Sequence, residues 1–256
     1  MGETAEKLKY KGHHIRIEYD DSPTDPREWD NACKMVCQHR RYNLGDEQYS
    51  NEYAGSWKEW FAEYVMKNHK PFDNKHYDEE GYLDDAGVKK VWKWIEANMV
   101  VQAINMYDHS GISVSTSNGY PYNDRWDAGQ VGFAYMTKKM IMDNFQVAGK
   151  NLTPKLKERA RELIDAEVEE YDQYLRGEVY GYMVADPEDP DFGFYRDSCW
   201  GYYSTEDAIA EAKSVVDYYI KEARKKRYMK LKQLIKAGVD FIKRQLILDT
   251  EYKIYA

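Results

Sequence analysis

VVQAINMY at residues 100–107, the polar turn DHSG at 108–111 and ISVST at 112–116 decide the fold, because together they read as a β-hairpin. Ile112, Val114 and Thr116 alternate with polar neighbours, which is the period of a half-buried strand. A polar loop, SNGYPYNDRWDA at 117–128, then leads into a further strand, GQVGFAYM at 129–136. Strands joined by hairpins pair antiparallel, so this centre predicts a mainly antiparallel sheet.

Upstream of it, HHIRIEY at 13–19 alternates around Ile15 and Ile17 as a first strand. Asp25-Pro26 with Glu28 has the form of a helix start, and Trp29, Cys33, Val36 and Cys37 fit one helical face. Ser56 with Glu59 opens a second helix, with Trp57, Trp60, Phe61, Tyr64 and Val65 on its stripe. A third begins near Asp85, with Val88, Val91, Trp92, Ile95 and Met99 inward. Downstream, Thr137 caps a short helix, KKMIMDNF. Thr153-Pro154 starts the clearest helix, striped with Leu156, Ala160, Leu163, Ile164, Val168, Tyr171, Tyr174 and Leu175 and stopped by Gly177. EVYGYMV and SCWGYY form a second hairpin across the loop 185–197. Ser204 with Asp207 caps a last helix, whose inward residues are Ile209, Ala212, Val215, Val216, Tyr219 and Ile220. It continues into a basic arm with Tyr228, Leu231, Ile235 and Ile242 at near-heptad spacing, weakened by Gly238. EYKIYA closes the chain as a short strand.

Hairpins without strict strand–helix–strand alternation predict an α+β class, a mainly antiparallel sheet with covering helices and a helical basic C-terminal arm. The expected organisation is an α+β domain over 1–220, a module boundary near 149–153 and the arm over 221–256. Trp29, Trp60, Phe61, Trp92, Leu163, Val168, Ile209 and Val216 are the expected core.

Composition narrows the function classes. Hydrophobic residues at 43% and aromatics at 15% supply a core and exclude a disordered chain. No run approaches the ~18 apolar residues of a membrane span, so no membrane partner is expected. MGETAEKLKYKGHH has no apolar leader region, and Glu6 stands where a myristoylation signal wants Ser or Thr. Cys33, Cys37 and Cys199 are an odd, sparse set, which points to a reducing compartment and no disulfide scaffold. The net charge is −8, yet ten basic and two acidic residues between Lys221 and Arg244 give that segment +8 and leave −16 elsewhere. With 24 Tyr and seven Trp, the chain has the ring content that protein–protein contacts favour, although half-buried strand tyrosines account for it more simply.

Four stretches carry a resemblance: EYDDSPTDPREWDNACKMVCQHRRYNLGDE, MYDHSGISVSTS, RWDAGQVGFAYMTKKMI, and EVEEYDQYLRGEVYGYMV followed by DSCWGYY. Together, over residues 15–46 and 104–207, they resemble a family of uncharacterised proteins encoded by bacteriophages and prophages. The resemblance implies an accessory protein working in the cytoplasm of a bacterial host, and it brings no activity with it. Some relatives have a Cys pair in the second hairpin loop; ADPEDPDFGFYRD has none, so no metal site is expected there.

Each candidate constellation has a plain structural explanation. Cys33, Cys37 and His39 do not share one helical face, and a zinc site needs four ligands, so both thiols are read as core. They should be reduced and close together. Asp108, His109 and Ser110 occupy a turn that favours them for backbone reasons. Asp124 and Asp127 join them in a metal site only if the strand order departs from a simple meander, which puts the two loops at opposite sheet ends. Asp20, Asp21, Asp25, Glu28 and Asp30 form an acidic cluster of the kind two-metal nucleases use, although capping explains Asp25 and Glu28. No nucleotide-binding or hydrolase motif is present, so no cofactor, metal or catalytic residue is assigned.

Two functional readings stay open. The first is stoichiometric binding to a host protein or nuclease complex, including an anti-defence role such as inhibition of a CRISPR effector. Its contact residues are Tyr120, Tyr122, Asp124, Trp126 and Asp127 in one loop, with Asp189, Asp191, Phe192, Phe194 and Tyr195 in the other. The pairing of rings with carboxylates suits a basic partner site. The second is nucleic-acid binding or metal-dependent processing. It uses Arg224, Lys225, Lys226, Arg227, Tyr228 and Lys230 of the arm, with the acidic cluster. Oligomeric state is not readable from the sequence.

Overall fold

The computed structural model describes residues 3–51, 54–69, 77, 82–116, 126–149, 151–185 and 193–252, with the side chains of 251 and 252 excepted. It is an α+β protein with two mostly antiparallel sheets. The chain forms two compact units, residues 1–24 with 177–256, and residues 25–176. The expected seam at 149–153 falls inside the second of these. The one expected at 220/221 falls within an uninterrupted helix.

In the discontinuous unit, β1 (Thr4–Tyr10), β2 (His13–Tyr19), β8 (Tyr180–Ala185) and β9 (Tyr195–Tyr202) pair antiparallel in the order β1-β2-β8-β9. The long helix α5 (Thr205–Lys236) covers one face. Its Ala208, Ala212 and Val216 lie against Ile15, Ile17, Tyr182 and Val184, and the small alanines let the helix approach closely. Ile209 is only half-buried. On the other face of β2, Arg16 and Glu18 are buried as an ion pair at 2.8 Å. That N–H is not aligned on the carboxylate, so the contact is electrostatic rather than a directed hydrogen bond.

The arm does not continue straight. Gly238 adopts φ +70°, a left-handed conformation open to glycine at no steric cost, and Val239 N–H returns to the Leu234 carbonyl at 3.1 Å. Asp240 Oδ1 then accepts from Lys243 N–H at 3.0 Å and starts α6 (Phe241–Tyr252), which packs back along α5. Gly238 therefore ends one helix and reverses the chain; it is not a weak point inside a helix. Tyr252, expected in a closing strand, is the last residue of α6, and 253–256 lie outside the described residues.

The second unit is a sheet between two helical layers. Its strand order is β4-β3-β7-β5-β6, built from β3 (Lys34–Cys37), β4 (Glu47–Gln48), β5 (Met99–Asp108), β6 (Ile112–Ser115) and β7 (Ala128–Thr137). The β3–β4 pair is parallel and the others antiparallel. One face meets α3 (Lys138–Asn144) and α4 (Pro154–Leu175), through Ala134 and Met136 of β7 and Leu156, Ala160, Ile164, Val168 and Tyr171 of α4. The opposite face meets α1 (Trp57–Asn68) and α2 (Asp85–Asn98), with Phe133 and Tyr135 packed among Trp60, Phe61, Tyr64, Val91 and Ile95. Ser56, Asp84, Thr137 and Thr153 each accept a backbone N–H as N-caps.

One expected helix is absent. Asp25-Pro26-Glu28 caps a single 3-10 turn (Pro26–Glu28), and the chain then enters β3. Cys33, Met35 and Cys37 face the α4 side and Val36 faces the α1 side. A strand buried on both faces is apolar throughout, and a spacing of four keeps Cys33 and Cys37 on one side of a strand as readily as of a helix. Trp29 lies before the strand and is 48% exposed, which corrects its place in the core. Trp60, Phe61, Val168 and Val216 are buried as expected; Trp92 and Leu163 are half-buried. Both thiols are free and buried, Cys33 in the bend that precedes β3 and Cys37 as its last residue.

Candidate functional site

Register brings three segments of the second unit to one sheet end. The last residue of β3, Cys37, pairs with Gly132 in the first half of β7, and Gln38 N–H donates to the Val131 carbonyl at 2.7 Å. The end of β5 meets the start of β7, with Tyr107 opposite Ala128 and Asp108 N–H bonded to the Asp127 carbonyl at 2.7 Å. Strand order therefore departs from a simple meander. Since β7 pairs with β5 and not with β6, the 108–111 turn and Asp127 share one end, which corrects the expectation that they lie apart. Close approach of β7 to β3 requires a glycine at 132, because a Cβ there would lie 2.1 Å from the Val36 carbonyl oxygen.

The result is a mainly polar cleft of about 210 Å³, lined by His39, Arg40, Arg41, Asp108, Trp126, Asp127 and Gln130, with the nearly buried Met106 and Val131 among its walls. Arg41 forms an ion pair with Asp108, whose other oxygen accepts from Tyr42 Oη at 3.4 Å. The His39 ring stacks on Tyr42, with centroids 5.1 Å apart and planes 5° from parallel. Its Nδ1 accepts from Arg41 N–H at 3.4 Å. Burial and the neighbouring Arg41 charge hold His39 below the usual histidine range, so it sits in the cleft as a neutral ring at pH 7. Asp127 Oδ2 lies 3.0 Å from His109 Nδ1, and Tyr107 stacks on the His109 ring.

The described rim carboxylates thus face Arg41 and His109. Trp126 is 93% exposed. The arrangement is a mainly polar depression with paired charges and an exposed indole at its edge, suited to binding. Tyr120, Tyr122 and Asp124 lie outside the described residues, as do Asp189, Asp191 and Phe192. Phe194 and Tyr195 are 77% and 54% exposed at the start of β9, in the other unit from Trp126, so the two expected contact loops belong to different units.

Sequence reasoning missed Arg40, Arg41 and Tyr42, and weighed His39 only as a zinc ligand. The available signal was the run HRRY at 39–42, two successive guanidinium groups between two rings.

Two members of the acidic cluster take local backbone roles. Asp20 accepts from Ser22 N–H at 3.0 Å and Asp25 from Arg27 N–H at 2.8 Å. Among the described residues, no group of three or more His, Cys, Asp or Glu side chains is placed to hold a metal ion. In the arm, Arg224, Lys225, Lys226 and Tyr228 are exposed. Lys225 pairs with Glu222 at 3.5 Å, Arg227 with Asp249 at 3.0 Å, and Lys232 covers the Tyr228 ring at 4.7 Å. No helix of the described residues is long and apolar enough to cross a membrane. Comparison with family models, curated proteins and solved structures finds no match to this chain.

Proposed function

We propose that this protein works by stoichiometric binding, with the cleft rimmed by Trp126, Arg40 and Arg41 as its contact patch. The observation that carries the reading is the 93% exposure of Trp126 at the edge of a mainly polar depression. Tryptophan is mostly buried in folded chains, and in interfaces it is the residue type that most often dominates binding energy. Arg40 and Arg41 add a second enriched residue type. The sequence resemblance to bacteriophage-encoded proteins supports a protein of a bacterial host as the partner, in its most specific form a defence nuclease complex in the host cytoplasm. The paired rim charges favour a partner recognised by shape and rings more than by net charge.

The test compares nuclease-treated capture from host lysate by the native chain and by Trp126→Ala. Truncating a central aromatic anchor costs about 2–4 kcal/mol, or about 30- to 1,000-fold in affinity. Equal capture by both chains would sink the reading. Turnover of the captured partner by sub-stoichiometric protein would replace it with an enzyme.

The nucleic-acid reading of the arm draws support from exposed Arg224, Lys225, Lys226 and Tyr228. It is weakened by the ion pairs of Lys225 and Arg227 and by Lys232 covering the ring on which a base would stack.

A further inference from the structure

The α5–α6 hairpin leaves one face of α5 open, and that face has the grammar of a coiled-coil seam. Tyr228 and Ile235 lie seven residues apart and are 57% and 52% exposed. Leu231 lies between them, half-buried. Numbered as a heptad, Tyr228 and Ile235 take a positions, Leu231 takes d, and Lys225 and Lys232 take e; both lysines are exposed, Lys225 3.5 Å from Glu222 and Lys232 over the Tyr228 ring, surface contacts that a partner's carboxylates would compete with. Gly238 ends this pattern by turning α6 back, so the seam belongs to α5 alone and α6 does not prolong it. Two packed helices cannot bury all their apolar surface; a third helix laid along this seam completes a bundle.

The charge on this segment identifies the occupant. Lys221–Arg244 carries +8, whereas the rest of the chain carries −16. A symmetric pairing with a second copy sets the same cationic e positions against each other, which is unfavourable. A nucleic acid answers the charge and leaves Ile235 and Leu231 in water. A lipid surface answers both, but α6 beside the seam carries Asp249 and Glu251 against Lys243 and Arg244 and is neutral overall, unlike the basic helices that lie on anionic membranes. We infer that the open face of α5 docks an acidic amphipathic helix of a protein partner, with apolar residues in its seam and carboxylates opposite Lys225 and Lys232. This surface is independent of the Trp126 cleft.

The experiment uses the full chain and a designed four-heptad peptide with Leu at a and d and Glu at e and g, followed by fluorescence anisotropy. The expected result is saturable one-to-one binding that weakens as salt rises. Lys225→Glu/Lys232→Glu should weaken it at least about tenfold, and a peptide with Lys in place of Glu should then bind that variant better than it binds the native chain. Ile235→Asp should abolish binding of both peptides, with an unchanged thermal melt showing that the fold is intact. Failure of the acidic peptide to bind, indifference to the charge swap, or dimerisation of the native chain through this face in sedimentation would each overturn the inference. So would preferential binding of a 20-base-pair duplex or of phosphatidylserine vesicles that Ile235→Asp removes.

Discussion

Replacing Arg27 by Met should remove the most heavily connected buried charge of the second unit. The Arg27 side chain is 3% exposed and bonds Asp46 at 2.8 Å, Glu167 at 3.3 Å and the Cys33 carbonyl at 2.9 Å. The two carboxylates in turn accept backbone N–H groups, Asp46 from Met35 and Glu167 from Ala32 and Cys33, so they fasten the entry of β3 onto α4. Methionine fills much of the same volume but leaves two buried carboxylates facing each other without a cation. Breaking a buried pair in this way costs about 3–5 kcal/mol. Asp46→Asn should cost less, because its amide oxygen still accepts from Met35 and Glu167 still answers Arg27. Urea unfolding followed by tryptophan fluorescence reads the effect, since every Trp except Trp200 lies within residues 25–176. A loss below about 1 kcal/mol for Arg27→Met, or a larger loss for Asp46→Asn, would refute the reasoning.

Ile164→Ala, at a fully buried position of α4, should destabilise by about 2–5 kcal/mol, and Leu163→Ala, half-buried, by clearly less; equal losses in urea unfolding would show the stripe to be misplaced. Only Cys199 should react with a thiol reagent in the native chain, because burial pushes Cys37 up to about 12 and raises Cys33 as well; denaturant should expose all three, and fast native reaction of more than one would contradict the packing. His69 lies 3.1 Å from Tyr135 Oη, and burial holds its imidazole below the ordinary 6.5. An unfolded chain then takes up the proton first, so the contribution of His69 is full above about pH 6.5 and fades as pH falls toward its lower folded value. His69→Gln should therefore flatten part of the stability loss between about pH 7 and 5, His39 contributing in the same direction, and an unchanged slope would discount it.

Much of the fold was legible where a local rule decides alone. Ser56, Thr137, Thr153 and Ser204 cap helices because a side-chain oxygen near an N-terminal N–H needs no tertiary partner. The strands around 100–136 were legible as short apolar runs bounded by the turn 108–111 and the polar loop 117–128, although residues 131–136 of β7 are buried without alternation. Illegible features were those set by pairing. Trp29, Cys33 and Cys37 fit a helix on spacing, and only burial of β3 on both faces distinguishes the strand. The insertion of β7 between β3 and β5 leaves no local trace, yet it alone brings Asp108, His109 and Asp127 to the end where His39 and Arg41 sit. Gly238 was visible as a weak helix former, but whether a glycine bends or ends a helix depends on the chain packing back behind it. Trp126 was singled out from sequence as a ring beside acids, and its neighbours came only with the strand order.

A photoreactive phenylalanine derivative in place of Trp126, expressed in bacterial cells and irradiated, tests the proposed binding most directly. The prediction is one dominant protein adduct, formed at an occupancy that saturates with the partner. The same group at the exposed Glu162 of α4 should give none. No adduct from position 126, with an adduct from Glu162 or from Tyr228, would place the functional surface elsewhere and contradict the account.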